Sequence, residues 1–461
     1  MNNIKDFIIE GTKLIEYTGN DKEVYIPDGI TTIAKHAFFA KENVESIFMP
    51  DSVTELETGA IDYMQNLKKV KLSTNLKVIS WGNFNDCDSI EIVDFLENIE
   101  EIEGCTFSGT NLKKVYIPSS VKKICGGAFA TQTDSSRKIE VVLDKNNKHF
   151  VCKDNCIFSK DMKTLIRCFP AGRIKKFIVP DSVETIGSFA FEHCFYRQIE
   201  MNDNVENLGR YAFASCEKLK EIRLSEKITI IPEGAFILCN NLEKINIPTN
   251  TKEIQGAAFA VCSSINEIIL PDNIQKINSG AFHYSRFKIR IQKNNRYTVR
   301  NDCLIDKRKK EILKYLGEAV VDENVFHGIK LIGGYAFESA EIVSELHIPE
   351  NIEVIEKSAF ESCTGIEKVW IPSSVKVIDS GIFDYSTIKE ITIAEGVTQI
   401  ENCALTMLNN FKKITIPESV TKIEKYAFEY DSKATIYCKE NTRAHRFAKE
   451  NKIKFKILPN D

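Results

Sequence analysis

His149, Cys152, Cys156 and Cys168 spell H-x2-C-x3-C, followed by a further Cys after eleven residues. Cys and His side chains in a tetrahedral array hold zinc, and a hairpin could bring such a set together. The closer pair, Cys152 and Cys156, could instead carry redox chemistry. A second stretch of the chain counts against both. "NNKHFVCKDNCIFSKDMKTLIRC" (146–168) is echoed by "NNRYTVRNDCLIDKRKKEILKYLG" (294–317), which keeps only Cys303, at the place of Cys156, with Tyr297 near the place of His149. A hairpin that persists without the other ligands needs no metal to fold. The expectation is therefore structural residues, no metal, no cofactor and reduced cysteines.

Six of the other cysteines follow a rule. "AFILCNNLEKINIP" (235–248) returns as "AFAVCSSINEIILP" (258–271), and Cys87, Cys194, Cys216, Cys239, Cys262 and Cys363 each stand three residues after a Phe. A small side chain with a weak S–H donor suits an interior position. Neighbouring sulfurs one strand spacing apart, about 5 Å, are too far for a disulfide. No Gly-rich phosphate loop, H-E-x-x-H or G-x-S-x-G motif is present, and the expectation is that the protein is not an enzyme. His193 and His283, just after Phe residues, are expected on the solvent side. The run "DKRKKE" (306–311) is expected to be a solvated turn. With 61 basic and 65 acidic residues interspersed, the net charge of -4 argues against a nucleic-acid partner.

What positions these residues is a repeat. Phe38, Ile61, Phe84, Phe107 and Phe129 are spaced by 22 or 23 residues, as are Phe191, Phe213, Phe236, Phe259 and Phe282, and then Phe337, Phe360, Phe383, Leu405 and Phe428. Before each following Pro runs a short stretch such as "LEKINIP", in which alternate residues face opposite sides of a strand. Two further apolar positions, Val375 and Ile378 in "SVKVI", mark where the chain turns back. One such unit cannot bury its own apolar edge, whereas a stack of them makes a continuous core.

"IPDGITTIAKHAF" (26–38), "IPSSVKKICGGAF" (117–129), "VPDSVETIGSFAF" (179–191) and "IPSSVKVIDSGIF" (371–383) resemble the leucine-rich repeats of the BspA-like family. The resemblance implies a curved leucine-rich repeat solenoid of β-rich units with a concave parallel sheet, and binding rather than catalysis. Many relatives are surface or secreted proteins of microbes. The expected organisation is an N-terminal capping module (1–27), the solenoid (28–440) with irregular hairpin units at about 139–180 and 289–326, and a C-terminal cap (441–461). In the cap, Asn441 or Thr442 starts a short helix that buries Ala444, Phe447 and Ala448, and a last strand follows at 453–458. The cap is expected to block the sheet edge.

Residues flanking the middle apolar position of each strand should reach the concave face. His347 and Trp370 occupy the same place in adjacent units, with Glu345 and Lys368 beside them, and Phe48 and Tyr116 are further aromatics on that face. Aromatic centres with polar rims dominate binding energy. The expected function is a non-enzymatic scaffold for an unknown protein or peptide, a monomer, without membrane insertion. The alternative is a microbial surface or secreted adhesin, including a glycan-binding one. If Met1 is the true start, the cytoplasm is expected, because no signal sequence opens the chain.

Overall fold

A regular repeat contains two extended stretches, and most of these pair in parallel with their counterpart one repeat along. The computed structural model describes residues 4–94, 97–130, 139–169, 175–317, 321, 323–408, 410–428 and 434–459. Met1 and parts of the two irregular units (170–174, 318–320 and 322) lie outside the described residues. The chain groups into two units, Met1–Asn250 and Thr251–Asp461. In the second, strands Glu345–His347, Lys368–Ile371, Glu390–Ile393, Lys413–Thr415, Thr435–Cys438 and Phe455–Ile457 form one six-stranded parallel sheet. The middle apolar residue of these strands is buried, as at Leu346, Val369, Ile391, Ile414 and Ile436. The turn-back positions are strands too: Val377–Ile378, Gln399–Ile400 and Lys422–Ile423 make a second parallel ladder of two-residue strands. Two residues are too few to show a period in sequence.

All fifteen anchor side chains are interior, at 0–6% exposure. Their rings stack from unit to unit, Phe213 on Phe236 at 5.3 Å and Phe337 on Phe360 at 5.1 Å between centroids. Around them the backbone alternates in hand. Tyr211 and Ser215, two residues either side of Phe213, have φ of 56° and 54°. This alternation lets every second N–H point along the stack: Tyr211 N–H donates to the Glu233 carbonyl (3.0 Å), Phe213 to Ala235 (2.9 Å) and Ser215 to Ile237 (2.8 Å). The same flanking positions are left-handed around Phe38 (His36, Ala40), Phe259 (Ala257, Val261) and Phe360 (Ser358, Ser362). Left-handed backbone costs a residue with a Cβ about 1–2 kcal/mol. An unmade buried hydrogen bond costs as much or more, and three are made here per turn.

The cysteine three places after the anchor serves the same turn. The thiols of Cys216, Cys239 and Cys363 each donate to the carbonyl of the preceding anchor, Phe191, Phe213 and Phe337, at 3.0 Å. Ser285 uses its hydroxyl in the same way on Phe259 (2.6 Å). Burial pushes the Cys87 thiol up to about 12 and those of Cys194 and Cys216 well above their ordinary value, so none is a nucleophile at neutral pH.

The irregular units are three-stranded antiparallel modules, Phe150–Lys153, Cys156–Ser159, Thr164–Cys168 and Tyr297–Arg300, Cys303–Asp306, Glu311–Tyr315. The N-terminal hairpin Phe7–Glu10, Lys13–Tyr17 matches their last two strands. The third strand joins the short ladder, as Lys13 pairs with Thr32, Thr164 with Thr185 and Glu311 with Leu331. Its last residue takes the anchor's backbone role: Tyr17, Cys168 and Tyr315 donate N–H to the carbonyls of Ala37, Ala190 and Ala336. Directly across the hairpin from these three stand Phe7, Cys156 and Cys303. Where both members of that pair are Cys, they are joined: Cys156 and Cys168 form a disulfide, and the other twelve cysteines are free. The expectation of fully reduced cysteines is corrected, because opposed residues of an antiparallel pair approach closely enough to bond while ladder neighbours do not. The echo also shifts by one: Tyr297 stands at the place of Phe150, and Arg296 at that of His149, since Asn147 and Asn294 each accept the N–H groups two and three residues on.

At the C-terminus helix Arg443–Glu450 is capped by Thr442, whose side chain accepts the His445 N–H, and it buries Ala444, Phe447 and Ala448. The last strand, Phe455–Ile457, adds to the ladder in parallel and becomes its edge, so the cap moves the edge rather than closing it.

Three outcomes follow. Phe236→Ala costs about 3–5 kcal/mol in urea unfolding, since it empties one place in the ring column. Val261→Gly at φ 58° stabilises by up to about 1 kcal/mol, because the strain of a β-branched left-handed residue exceeds the entropy cost of Gly. Alkylation of unfolded, unreduced protein labels twelve of the fourteen cysteines by mass spectrometry, and all fourteen after reduction.

Candidate binding face

The outward rows of the long-strand sheet are set by its register. Glu345 stands beside Lys368, and His347 beside Trp370, with Thr392 next to Trp370 on the other side. Parallel strands about 4.8 Å apart bring flat rings on one row into contact. The His347 and Trp370 rings lie 3.9 Å apart at 9°, and Lys368 Nζ is 2.7 Å from Glu345 Oε1. Each partner of that ion pair favours the other's charge, raising Lys368 and lowering Glu345. The four residues singled out at this place are thus one contiguous patch. Trp370 is half-covered rather than open, because His347 lies flat on its indole while itself remaining exposed.

Phe48 and Tyr116 lie in the other unit and in separate sheets. Phe48 is half of a second stack, its ring 4.4 Å from that of Tyr25 at 6°, with Lys69 Nζ 5.6 Å over its centroid. Tyr25 is 49% exposed. Assigning 1–27 to a cap hid it from the sequence reading, although "EVYIP" carries the strand pattern. The Tyr116 hydroxyl is engaged, donating to Asp144 (3.0 Å) and Glu97 (3.3 Å). The Asp144 bond leads the causes that push its pKa up to about 12.

A further aromatic group was missed. Phe39, Tyr63 and Trp81 are each 46–47% exposed on the turns, with Phe39 and Tyr63 rings 5.3 Å apart. The Trp81 ring lies so close over Gly104 that a Cβ there would meet it at 2.2 Å. The sequence signal was Trp81 itself, one of two Trp in the chain, three residues before an anchor.

The histidine–cysteine set does not assemble. Cys156 is in the disulfide, and Cys152 faces away from it: Cys152 is opposed to Ile157, the neighbour of Cys156, and adjacent strand residues point to opposite sides. Among the described residues no group of three or more His, Cys, Asp or Glu is placed to hold a metal ion. His193 and His283 are half-buried, which corrects their solvent-side placement. Burial lowers the pKa of His193. His283 Nδ1 is 3.1 Å from Glu338, a buried carboxylate that also accepts the Tyr284 N–H (2.8 Å) and Lys314 Nζ (3.3 Å). Burial alone would raise Glu338; the His283 bond and the Lys314 charge overcome it and hold it low, while burial lowers Lys314. Arg167 holds the matching place in the first module, its guanidinium donating to the carbonyls of Phe129 and Phe189. These enclosed groups tie modules to their neighbours. In "DKRKKE" the four central residues are exposed, but Asp306 and Glu311 are buried, Asp306 bonded to Arg296 at 2.8 Å.

Among the described residues no helix is long and apolar enough to cross a membrane. No curated protein matches the chain. Among solved structures it is similar to a leucine-rich cell surface protein from Faecalibacterium prausnitzii, with 24% identity over 63% of this chain and 93% of that one and a TM-score of 0.44. A leucine-rich repeat protein from Eubacterium ventriosum gives 21% identity over 59% and 88%, TM-score 0.44. The pneumococcal vaccine antigen PcpA gives 15% over 98% and 96%, TM-score 0.41. The family described as BspA type leucine rich repeat region matches in six copies over residues 11–135, 166–288 and 324–452. Repeat register, stacked parallel ladders and this match over most of the chain agree: the protein belongs to the BspA-type leucine-rich repeat family.

Proposed function

We propose that the protein is a non-enzymatic binding scaffold that recognises a protein or peptide on its long-strand sheet, centred on His347 and Trp370. The observation that carries this reading is the ring stack itself. The interior of the sheet is complete beneath it, with Leu346 and Val369 at 1% exposure, so the two rings are not needed to fill the core. A large, rigid aromatic surface beside the Glu345–Lys368 ion pair offers apolar contact at its centre and polar contact at its rim. The Tyr25–Phe48 stack in the other unit has the same character and is the next candidate, with Tyr116 after it. The scaffold acts as a monomer and without a cofactor.

A second reading, a surface or secreted adhesin, is favoured by the Cys156–Cys168 bond, since disulfides persist in oxidising compartments. Cytoplasmic residence fits the twelve free thiols, but in an oxidising compartment these would also survive by burial and separation. Fractionation of native cells separates the two: an exported pool with the bond intact supports the adhesin, and a cytoplasmic pool labelling all fourteen cysteines supports the intracellular scaffold. With a partner captured on immobilised protein, Trp370→Ala weakens binding by about 2 kcal/mol or more and leaves Tm nearly unchanged. Wild-type affinity without the indole, or loss of fold, removes this patch.

A further inference from the structure

The six-stranded sheet ends on a strand whose charge has no counterpart. Along one outward row the residues run Glu345, Lys368, Glu390, Lys413 and Thr435, and the register of Phe455 beside Ile436 puts Lys454, just ahead of the last strand, next on it; along the other they run His347, Trp370, Thr392, Thr415, Tyr437, Lys456. Each earlier Lys of the first row has a Glu on the strand before it: Lys368 meets Glu345 at 2.7 Å and Lys413 meets Glu390 at 3.5 Å. Lys454 has Thr435 there instead, and no acid among the described residues lies within ion-pair distance of it. Lys456 lies over the Tyr437 ring at 5.4 Å. Beside them an open cleft of about 570 Å³ is lined by Ala448, Ile453 and Phe455 together with Lys449 and Lys452. Residues 439–459 carry seven Lys or Arg against two Glu, in a chain of net charge -4.

The backbone at this end is also open. Ile436 N–H bonds the Lys454 carbonyl and Leu458 N–H bonds that of Cys438, so alternate residues of the last strand point back into the sheet. The N–H and C=O groups of Phe455 and Ile457 point the other way, where no described strand pairs with them. Ile457 is 45% exposed.

We propose that this edge binds an extended acidic peptide as an added strand. Acids at alternate positions of such a peptide stand opposite Lys454 and Lys456, continuing the Glu–Lys alternation of the row, and the residue between them packs on Phe455 and Ile457. Backbone hydrogen bonds supply the remaining contact. The lysines also select: a basic strand, or the same edge of a second copy, meets like charge and is refused.

The test uses the full chain and a fluorescent peptide, Glu-Val-Glu-Thr-Glu, read by anisotropy at physiological salt. The proposal expects this peptide to bind and its Lys-for-Glu counterpart not to. N-methylation of alternate amides, which leaves the charge and removes the edge bonds, weakens binding at least tenfold. Lys454→Glu with Lys456→Glu also weakens it about tenfold or more, with Tm unchanged because both side chains are exposed; Lys454→Ala with Lys456→Ala reads the same loss if the reversal unfolds the cap. Trp370→Ala leaves this binding intact, so the outcome is independent of the aromatic patch. Equal binding of the N-methylated peptide, equal competition by polyphosphate or by anionic phospholipid vesicles, or undiminished binding to the lysine variants would each overturn the proposal.

Discussion

Everything in this molecule hangs on the turn that carries the anchor. In the regular turns N–H groups leave their own unit and find carbonyls in the next, and they do so because the residues two before and two after the anchor are left-handed; the turn at Phe129, before the first module, is a 3-10 helix instead. Without that alternation successive N–H groups would diverge, and the buried turn would hold unmet donors. The anchor ring is interior because its neighbours' backbone holds it there. Parallel ladders, ring column and thiol column are all consequences of units set in this register. The cost is spread over many residues with a Cβ, from His36 to Met407, and is offset by hydrogen bonds that recur from turn to turn.

The hairpin modules obey the same constraint by other means. Each brings a strand into the short ladder and ends on a residue that donates to the Ala before the next anchor. Tyr17 and Tyr315 thereby continue the ring column, stacking on Phe38 and Phe337 at 5.5 and 5.6 Å. Cys168 cannot stack, and its place is held by a covalent bond to Cys156 instead. The residue before each internal terminus, Arg167 or Lys314, is a cation buried against the following unit, where it meets carbonyls or the Glu338 carboxylate. One position has therefore been filled by ring packing or a disulfide, with the geometry around it unchanged.

The period was legible because it is written in large apolar side chains at constant spacing. The strands were legible because Pro and alternation bound them. The left-handed positions were not, since Val261, Leu238, Tyr211 and His193 occupy places where sequence habit looks for Gly or Asn. The disulfide depended on which hairpin residues oppose each other, and a bulge between Ile157 and Phe158 separates that register from simple counting. Of the candidate face, the pairing of His347 with Trp370 and Glu345 with Lys368 followed from equal spacing. The flat stacking that half-covers the indole, and the partnership of Phe48 with Tyr25, needed side-chain directions. The basic end was hidden by averaging, because a chain-wide balance says nothing of where the lysines gather.

The bond between Cys156 and Cys168 also sets how the chain would answer a pulling force. A stack of units tied by backbone ladders yields one unit at a time when its ends are drawn apart. The twelve-residue separation between the two cysteines is closed by the bond, so that length is withheld from extension. At about 3.4 Å per extended residue the oxidised chain reaches roughly 40 Å less than the reduced one. The first module is thus a tether of fixed reach, while the second, with Cys303 facing Tyr315, has no such stop.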